Sequence, residues 1–364
     1  MKSGEWMLCL EDWSNSNMKN TFGNSITITL FGESHGSQIG VVLDGVAPGI
    51  EVDLDFMRSQ LELRKPHGKI STARVETDEP HIVSGVFKGK TTGTPICILF
   101  ENSNTKSKDY AKTKDLMRPG HADFTAMEKY HGYQDYRGGG HFSGRLTTPL
   151  VAAGAILIQA LQQKGIYIGS HILKCGPVED KRFEDYEVEI QKVNKQIFPV
   201  LQEEAAKEML SYIEDAAKEG DSVGGVLETV VLGVPSGVGE PWFDSMESML
   251  SHGLFSIPAV KGVEFGAGFA FADMKGSEAN DSFEMKDKAV VTKTNHNGGI
   301  NGGITNGMPI KFQTVIKPTP SIYKKQETVN LATMTNEEMQ IEGRHDPAII
   351  HRARVVVDSM TLEK

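Results

Sequence analysis

Residues 150–164, LVAAGAILIQALQQK, form a helical run that is apolar almost all round. A surface helix keeps a polar face, so a helix of this kind must be enclosed by the rest of the chain. The 32 residues before it, 118–149, are of the opposite kind: RPGHADFTAMEKYHGYQDYRGGGHFSGRLTTP. They hold three arginines (Arg118, Arg137, Arg145), three histidines (His121, His131, His141) and the run Gly138-Gly139-Gly140, and no apolar period of 2 or 3.6. Glycine backbone can approach an oxyanion closely. Arginine offers forked donors suited to phosphate and carboxylate, and histidine exchanges protons near neutral pH. Long irregular segments are functional or disordered. Tyr130, Tyr133, Tyr136 and Phe142 argue against disorder. A site for a phosphorylated or carboxylated ligand outweighs the bland alternative, a solvated loop with incidental charge.

At 364 residues the chain can bury a large core. A net charge of −10 speaks against a general nucleic-acid surface but leaves room for a local basic cleft. Six of the ten arginines fall between Arg58 and Arg145, and Arg344 stands in a late polar cluster. Cys9, Cys97 and Cys175 lack metal-ligand spacing, which implies no sulfur-bound metal and a reducing cytoplasm. No apolar run reaches 18 residues, so no membrane span is expected. Residues 1–17 match neither a secretory signal nor a transit peptide. They read as a non-native or disordered extension, and 18–364 as one domain beginning at Met18.

Residues 25–30 alternate like a strand and run into Gly32-Glu33-Ser34-His35-Gly36, followed by a second strand at 39–43. His35 at a strand end can face a ligand, with a solvated turn as an even alternative. Asp53 or Asp55 caps a helix through Leu63. That helix delivers Arg64, Lys65, His67 and Lys69 at its C-terminal end, where the dipole also favours cations. The segment SGVFKGKT (84–91) is one residue short of a phosphate-binding P-loop. The TTGTPI that overlaps its end cannot open the required helix, so hairpin turns are expected instead. Further on the pattern predicts a strand over 166–173, a charged helical region over 180–218, a strand over 223–232, a helix from Asp244 through His252 and a strand over 311–316. Three stretches, 256–266, 294–304 and 317–321, read as irregular. Asp346 before Pro347 reads as the N-cap of a last helix reaching about Met360.

In this order, GESHG (32–36), the segment around Arg64-Lys65-Pro66, SGVFKGKTTGTPI (84–96), RPGHAD (118–123), YRGGG (136–140), AVKGVEFG (259–266), NHNGGINGGI (295–304), KPT (317–319) and GRHDP (343–347) make the chain resemble the chorismate synthase family. The resemblance covers about residues 18–360. It implies an α+β fold, a β-α-β sandwich of antiparallel sheets with helices, assembled as a homotetramer. It implies a lyase that converts 5-enolpyruvylshikimate 3-phosphate to chorismate and phosphate by 1,4-anti elimination, the last step of the shikimate pathway, with reduced FMN as cofactor. By resemblance His35 protonates the departing phosphate, His121 protonates the reduced flavin, and Asp346 assists proton transfer at the flavin N5. Arg64, Arg145 and Arg344 match substrate-binding positions, and Lys69 roughly replaces a further basic residue there. Flavin contacts are implied at His141, Phe142, Ser143, Pro258, Ala259, Gly302, Lys317, Pro318, Thr319, Pro320, Ser321 and Arg344. No dinucleotide-binding motif is visible, so an external flavin reductase or other source of reduced flavin is expected. Two departures stand out: His141-Phe142 replaces the Arg-Ser of many members, and Arg354 enters a last helix that ends early. They leave an alternative, an FMN-binding module of the same fold with impaired catalysis.

Overall fold

The apolar run forms the helix Thr147–Gln162, in which every residue from Thr147 to Ile158 is buried. The structure, a computed structural model, describes residues 19–71, 77–102, 114–341 and 345–362. Segment 1–17 and Arg344 lie outside the described residues, as does the side chain of Lys69.

Two five-stranded antiparallel sheets enclose the helix. The first comprises Thr21–Gly23 (β1), Thr27–Gly32 (β2), Gln38–Asp44 (β3), His81–Ser84 (β4) and Ile96–Glu101 (β5), in the order β1-β2-β3-β5-β4. The second comprises Tyr167–Cys175 (β6), Val178–Glu179 (β7), Gly225–Leu232 (β8), Val260–Phe265 (β9) and Ile310–Ile316 (β10), in the order β9-β10-β8-β6-β7. Between them lie Leu54–Arg64 (α1), Thr147–Gln162 (α2), Met246–Ser256 (α3) and Ile350–Thr361 (α4). Helix α2 packs on α1 and α4 and reaches β3 and β5 on one side and β6 on the other. This is the α+β sandwich that the resemblance implies. Alternate residues supply the inner faces: Ile39, Val41 and Leu43 of β3 with Ile96, Ile98 and Phe100 of β5, and Ile172, Leu227 and Phe312 from the second sheet, all buried. Each such side chain contributes about 1.5–3 kcal/mol by leaving water.

Several local readings change. Residues 260–265, within a stretch read as irregular, form the edge strand β9, bulged between Val260 and Gly262. Asp244 closes a short 3-10 turn, and α3 starts at Met246 with Ser245 as its cap, whose Oγ accepts from Ser248 N at 3.1 Å. Asp346 does not cap α4, which begins at Ile350; its carboxylate accepts from Arg352 at 2.7 Å. The charged region 180–218 divides into Tyr186–Val193 and Glu203–Lys218 with Pro199 between. With its preceding turn, α2 makes a run, Gly144–Gln162, long and apolar enough to cross a membrane. Its window is 78% buried inside the protein, which makes it a core helix.

Arg354, out of place as a sequence letter, has a structural reason. It is fully buried and pairs with Asp358 one turn on at 3.2 Å. It also donates to Val193 O and Gln196 O, where the helix Tyr186–Val193 ends with carbonyls that a cation satisfies. Asp358 accepts from Ser170 of β6 as well, so the polar cluster joins α4 to the second sheet.

Candidate active site

Gly138, Gly139 and Gly140 all have positive φ (60°, 94° and 52°), which turns the backbone after Arg137 back on itself. The turn lies between two histidines. A Cβ on Gly138 would fall 2.3 Å from Cε1 of His35, and one on Gly139 would fall 3.3 Å from Nε2 of His121. The β2–β3 turn that carries His35 is bound to the same loop: Ser34 N donates to Gly140 O at 3.1 Å and Ser34 Oγ to Arg137 O at 3.2 Å. Ser34 Oγ also lies 3.1 Å from His35 Nδ1. His35 is 8% exposed. The Nδ1 of His121 is 2.8 Å from Asp123 Oδ1, so its Nε2 edge faces the glycine loop. Arg118 donates to Asp123 from its backbone N, Nε and Nη2. Burial would raise the Asp123 carboxyl, but the bonds from Arg118 and His121 outweigh it and hold it well below the usual range.

On the other side of the His35 turn two buried arginines share one carboxylate. Arg64 Nη2 donates to Asp78 Oδ2 at 2.9 Å, and Arg145 Nη1 donates to Asp78 Oδ1. Burial would raise Asp78, but Arg64 and Arg145 hold it below the ordinary range. Burial lowers Arg64 to about 10, with Arg352 and Arg145 adding to the effect. Arg145 also donates to Asn102 Oδ1 (3.1 Å), Thr148 Oγ1 (3.2 Å) and Glu101 O (3.2 Å).

The two halves are joined through the C-terminal segment. Arg352 Nε donates to Arg64 O at 2.7 Å while its Nη1 holds Asp346. Asp346 O accepts from Thr319 Oγ1 at 2.8 Å, and Lys317 Nζ donates to Gly120 O at 2.5 Å, next to His121. Lys317 N in turn donates to Ala259 O. Contacts, with short steps along the chain from His121 to Gly120 and from Lys317 to Thr319, therefore close a ring: Arg64, Asp78, Arg145, Asn102, the His35 turn, the glycine loop, His121, Lys317, Thr319, Asp346, Arg352 and back to Arg64. Arg64, Arg118, Arg145, Arg352 and Lys317 face Asp78, Asp123 and Asp346, which leaves surplus positive charge for an anionic ligand.

The expected residues distribute unevenly around this ring. His141 Nδ1 is 2.8 Å from Gly32 O, and Phe142, half exposed, packs edge-on against Tyr130 with ring centres 6.1 Å apart. Ser143 Oγ accepts from Arg145 N. Pro320 borders Gly120, and Pro258 precedes Ala259, whose φ is 76°. Gly302 lies in the turn between Ile300–Asn301 and Ile304–Thr305, and among the described residues nothing lies within 4 Å of where its Cβ would stand. Asp78, Asn102 and Arg352 of the ring, and Asp123 that braces its His121, are not singled out from the sequence. Asp123 alone had a local signal, two residues after His121.

The family model for chorismate synthase matches residues 26–363. The chain belongs to the chorismate synthase family. Among curated relatives, the chorismate synthases of Thermococcus gammatolerans and Pyrococcus abyssi are 48% and 49% identical over 339 residues, each alignment covering 93% of this chain and 94% of the relative. That of Dehalococcoides mccartyi is 45% identical over 345 residues, 94% of both chains. A crystal structure of chorismate synthase superposes with a TM-score of 0.72 at 26% identity, covering 93% of this chain and 90% of the other. The sandwich is thus that of a chorismate synthase family member.

Proposed function

We propose that this chain converts 5-enolpyruvylshikimate 3-phosphate to chorismate and inorganic phosphate, with reduced FMN as cofactor. In the 1,4-anti elimination one C–O bond to phosphate and one C–H bond break and the ring gains a double bond, so the overall reaction is redox-neutral. The observation that supports the reading is the closed ring, in which His35, His121 and Asp346 are linked with the buried Arg64 and Arg145 and the half-buried Arg352.

The residues fit a flavin phosphate. Lys317 spends its charge on a carbonyl, and the buried Arg64 Nε and His345 Nε2 lack hydrogen-bond partners among the described residues. His141, Phe142, Ser143, Pro258, Ala259, Gly302 and residues 317–321 would hold the cofactor. Reduced FMN, when bound, supplies an electron-rich ring that assists departure of the phosphate. His35, fixed by Ser34 and the glycine loop, would donate a proton to a phosphate oxygen. His121, with Nδ1 held by Asp123, would keep a proton at Nε2. Asp346, oriented by Arg352, would serve as proton acceptor. Arg64 and Arg145, already paired side by side, would bind the carboxylates and phosphate of the substrate, and Lys69 and Arg344 belong to the same proposal. The protein would work in the cytoplasm as a homotetramer supplied with reduced flavin from an external reductase. The free thiols of Cys97 and Cys175 support a reducing compartment.

The test is anaerobic phosphate release from 5-enolpyruvylshikimate 3-phosphate with dithionite-reduced FMN. Release that requires reduced FMN and yields chorismate is expected. His121→Ala should lower kcat by about 100-fold or more while FMN still binds. No release from a folded, FMN-binding protein overturns the proposal in favour of an impaired flavin-binding module.

A further inference from the structure

We propose that Asn102 is a positioning residue that ties the His35 turn to the buried arginine pair, so that proton donor and anion-binding groups keep one fixed spacing. The inference rests on the reading given under Proposed function. One side-chain amide reaches both subsites. Its Nδ2 donates to Glu33 O and to Gly36 O, each at 3.0 Å. These carbonyls are the two ends of the turn that carries Ser34 and His35, a turn closed on itself by Gly36 N donating to Glu33 O at 3.0 Å. The Oδ1 of the same amide accepts from Arg145 Nε at 3.1 Å. The opposite amide orientation would set an oxygen against two carbonyls and an NH2 group against a guanidinium, so the arrangement has one sense only.

The anchor is rigid. Asn102 directly follows β5, which pairs on both edges, with β3 and with β4, and its backbone N donates to Ser37 O at 3.1 Å. A side chain fixed at the end of a strand that is paired on both edges is a better reference point than the loops it joins. No other common side chain replaces it. An aspartate of the same shape still accepts from Arg145 but loses both donors and sets negative charge against two carbonyl oxygens. A leucine loses all three bonds. A general acid must stand within hydrogen-bond reach of the leaving oxygen. The amide therefore controls two things separately: the aim of His35 through Nδ2, and the orientation of Arg145 through Oδ1.

Steady-state phosphate release, oxidised-FMN fluorescence titration and thermal unfolding on three variants test this. Asn102→Asp should lower kcat by about 100-fold, the size of effect a displacement of about 1 Å produces, because the turn is released. Its KM should stay within about threefold, because the acceptor for Arg145 survives. Asn102→Leu should lower kcat similarly and also raise KM about tenfold or more. Asn102→Gln, which keeps an amide on a longer stem, should recover about tenfold of the lost kcat. FMN affinity should be unchanged throughout. Histidine-ring NMR gives a readout independent of turnover: His35 resonances should shift in Asn102→Asp while those of the remote, buried His171 stay in place. A wild-type protein that releases no phosphate sinks the reading under Proposed function, and the NMR comparison then still decides the tie. Asn102→Asp with kcat within about threefold of wild type, or with unmoved His35 resonances, overturns the tie. A variant that no longer folds marks Asn102 as a structural residue and overturns it equally.

Discussion

His351 is 1% exposed, meets Ser71 Oγ through Nε2 at 3.0 Å, and leaves Nδ1 without a hydrogen-bond partner among the described residues. Burial, with Arg352 and His67 adding to it, pushes its pKa down to about 3. Because the folded-state value is depressed for a cationic acid, the unfolded chain binds the proton first as pH falls. Stability is then lost from the ordinary histidine range downward, at up to about 1.4 kcal/mol per pH unit until the folded value is reached. His171 has the opposite sign. Burial lowers it, but Asp180 and Glu228, at 3.2 and 3.0 Å, outweigh burial and raise it. Its contribution is complete below the ordinary histidine pKa and is lost as pH rises through the folded value, so it cannot mask the acid-side loss. Urea unfolding between about pH 5.5 and pH 4.5 should show that slope, and His351→Gln should reduce it by about one proton's worth. An equal slope in both proteins would rule His351 out as its source. At this scale the candidate site was partly legible. His121 and the three glycines stand within 20 residues of one another, and His35 sits in a conspicuous Gly-flanked turn of its own. Asp78 and Asn102 are not, because their partner Arg145 lies 67 and 43 residues away. Arg352 reaches Arg64 across 288 residues. A charge whose partner is distant reads in the sequence as a solvated one.

Helix α2 could be placed from sequence because an all-apolar run has only one kind of home. Strand β9 could not: Lys261, Gly262 and Glu264 break its alternation, and its pairing depends on β10, about 50 residues later. What a run of letters cannot convey is how closely two elements approach. In α2 Gly154 meets Ser359 of α4, and a Cβ on Gly154 would lie 2.3 Å from Ser359 Cβ and 2.8 Å from Ser359 Cα. Since one of those atoms is backbone, no rotamer change relieves the clash. In an exposed helix Gly→Ala stabilises by about 1 kcal/mol. Here the sign should reverse, with Gly154→Ala destabilising by about 1–3 kcal/mol through forced separation of α2 and α4. Denaturant midpoints of the two proteins measure it. An alanine variant as stable as wild type would mean that the helices do not pack this closely.

The ring draws on segments from the whole chain: the turn between β2 and β3, the end of α1 at Arg64, the approach to β4 at Asp78, the residue after β5, the loop that leads into α2, the exit of β10 at Lys317 and the approach to α4. Each segment leaves a sheet or helix that the common core holds, so the ring's geometry is a property of the assembled sandwich rather than of any one loop. Ligand binding should therefore act on all of it together. A ligand that engages only the folded state at about 100 times its Kd adds about 2.7 kcal/mol of stability. Segments that open by local excursions gain protection in proportion to the contacts that the ligand adds to them. With oxidised FMN and 5-enolpyruvylshikimate 3-phosphate both present, amide exchange should slow together in 33–36, 118–123, 137–145, 317–319 and 345–352, while the outer helix Glu203–Lys218 changes less. Protection confined to one of those segments would mean that the contacts form separate patches, and that the closed ring is not the unit to which ligand binds.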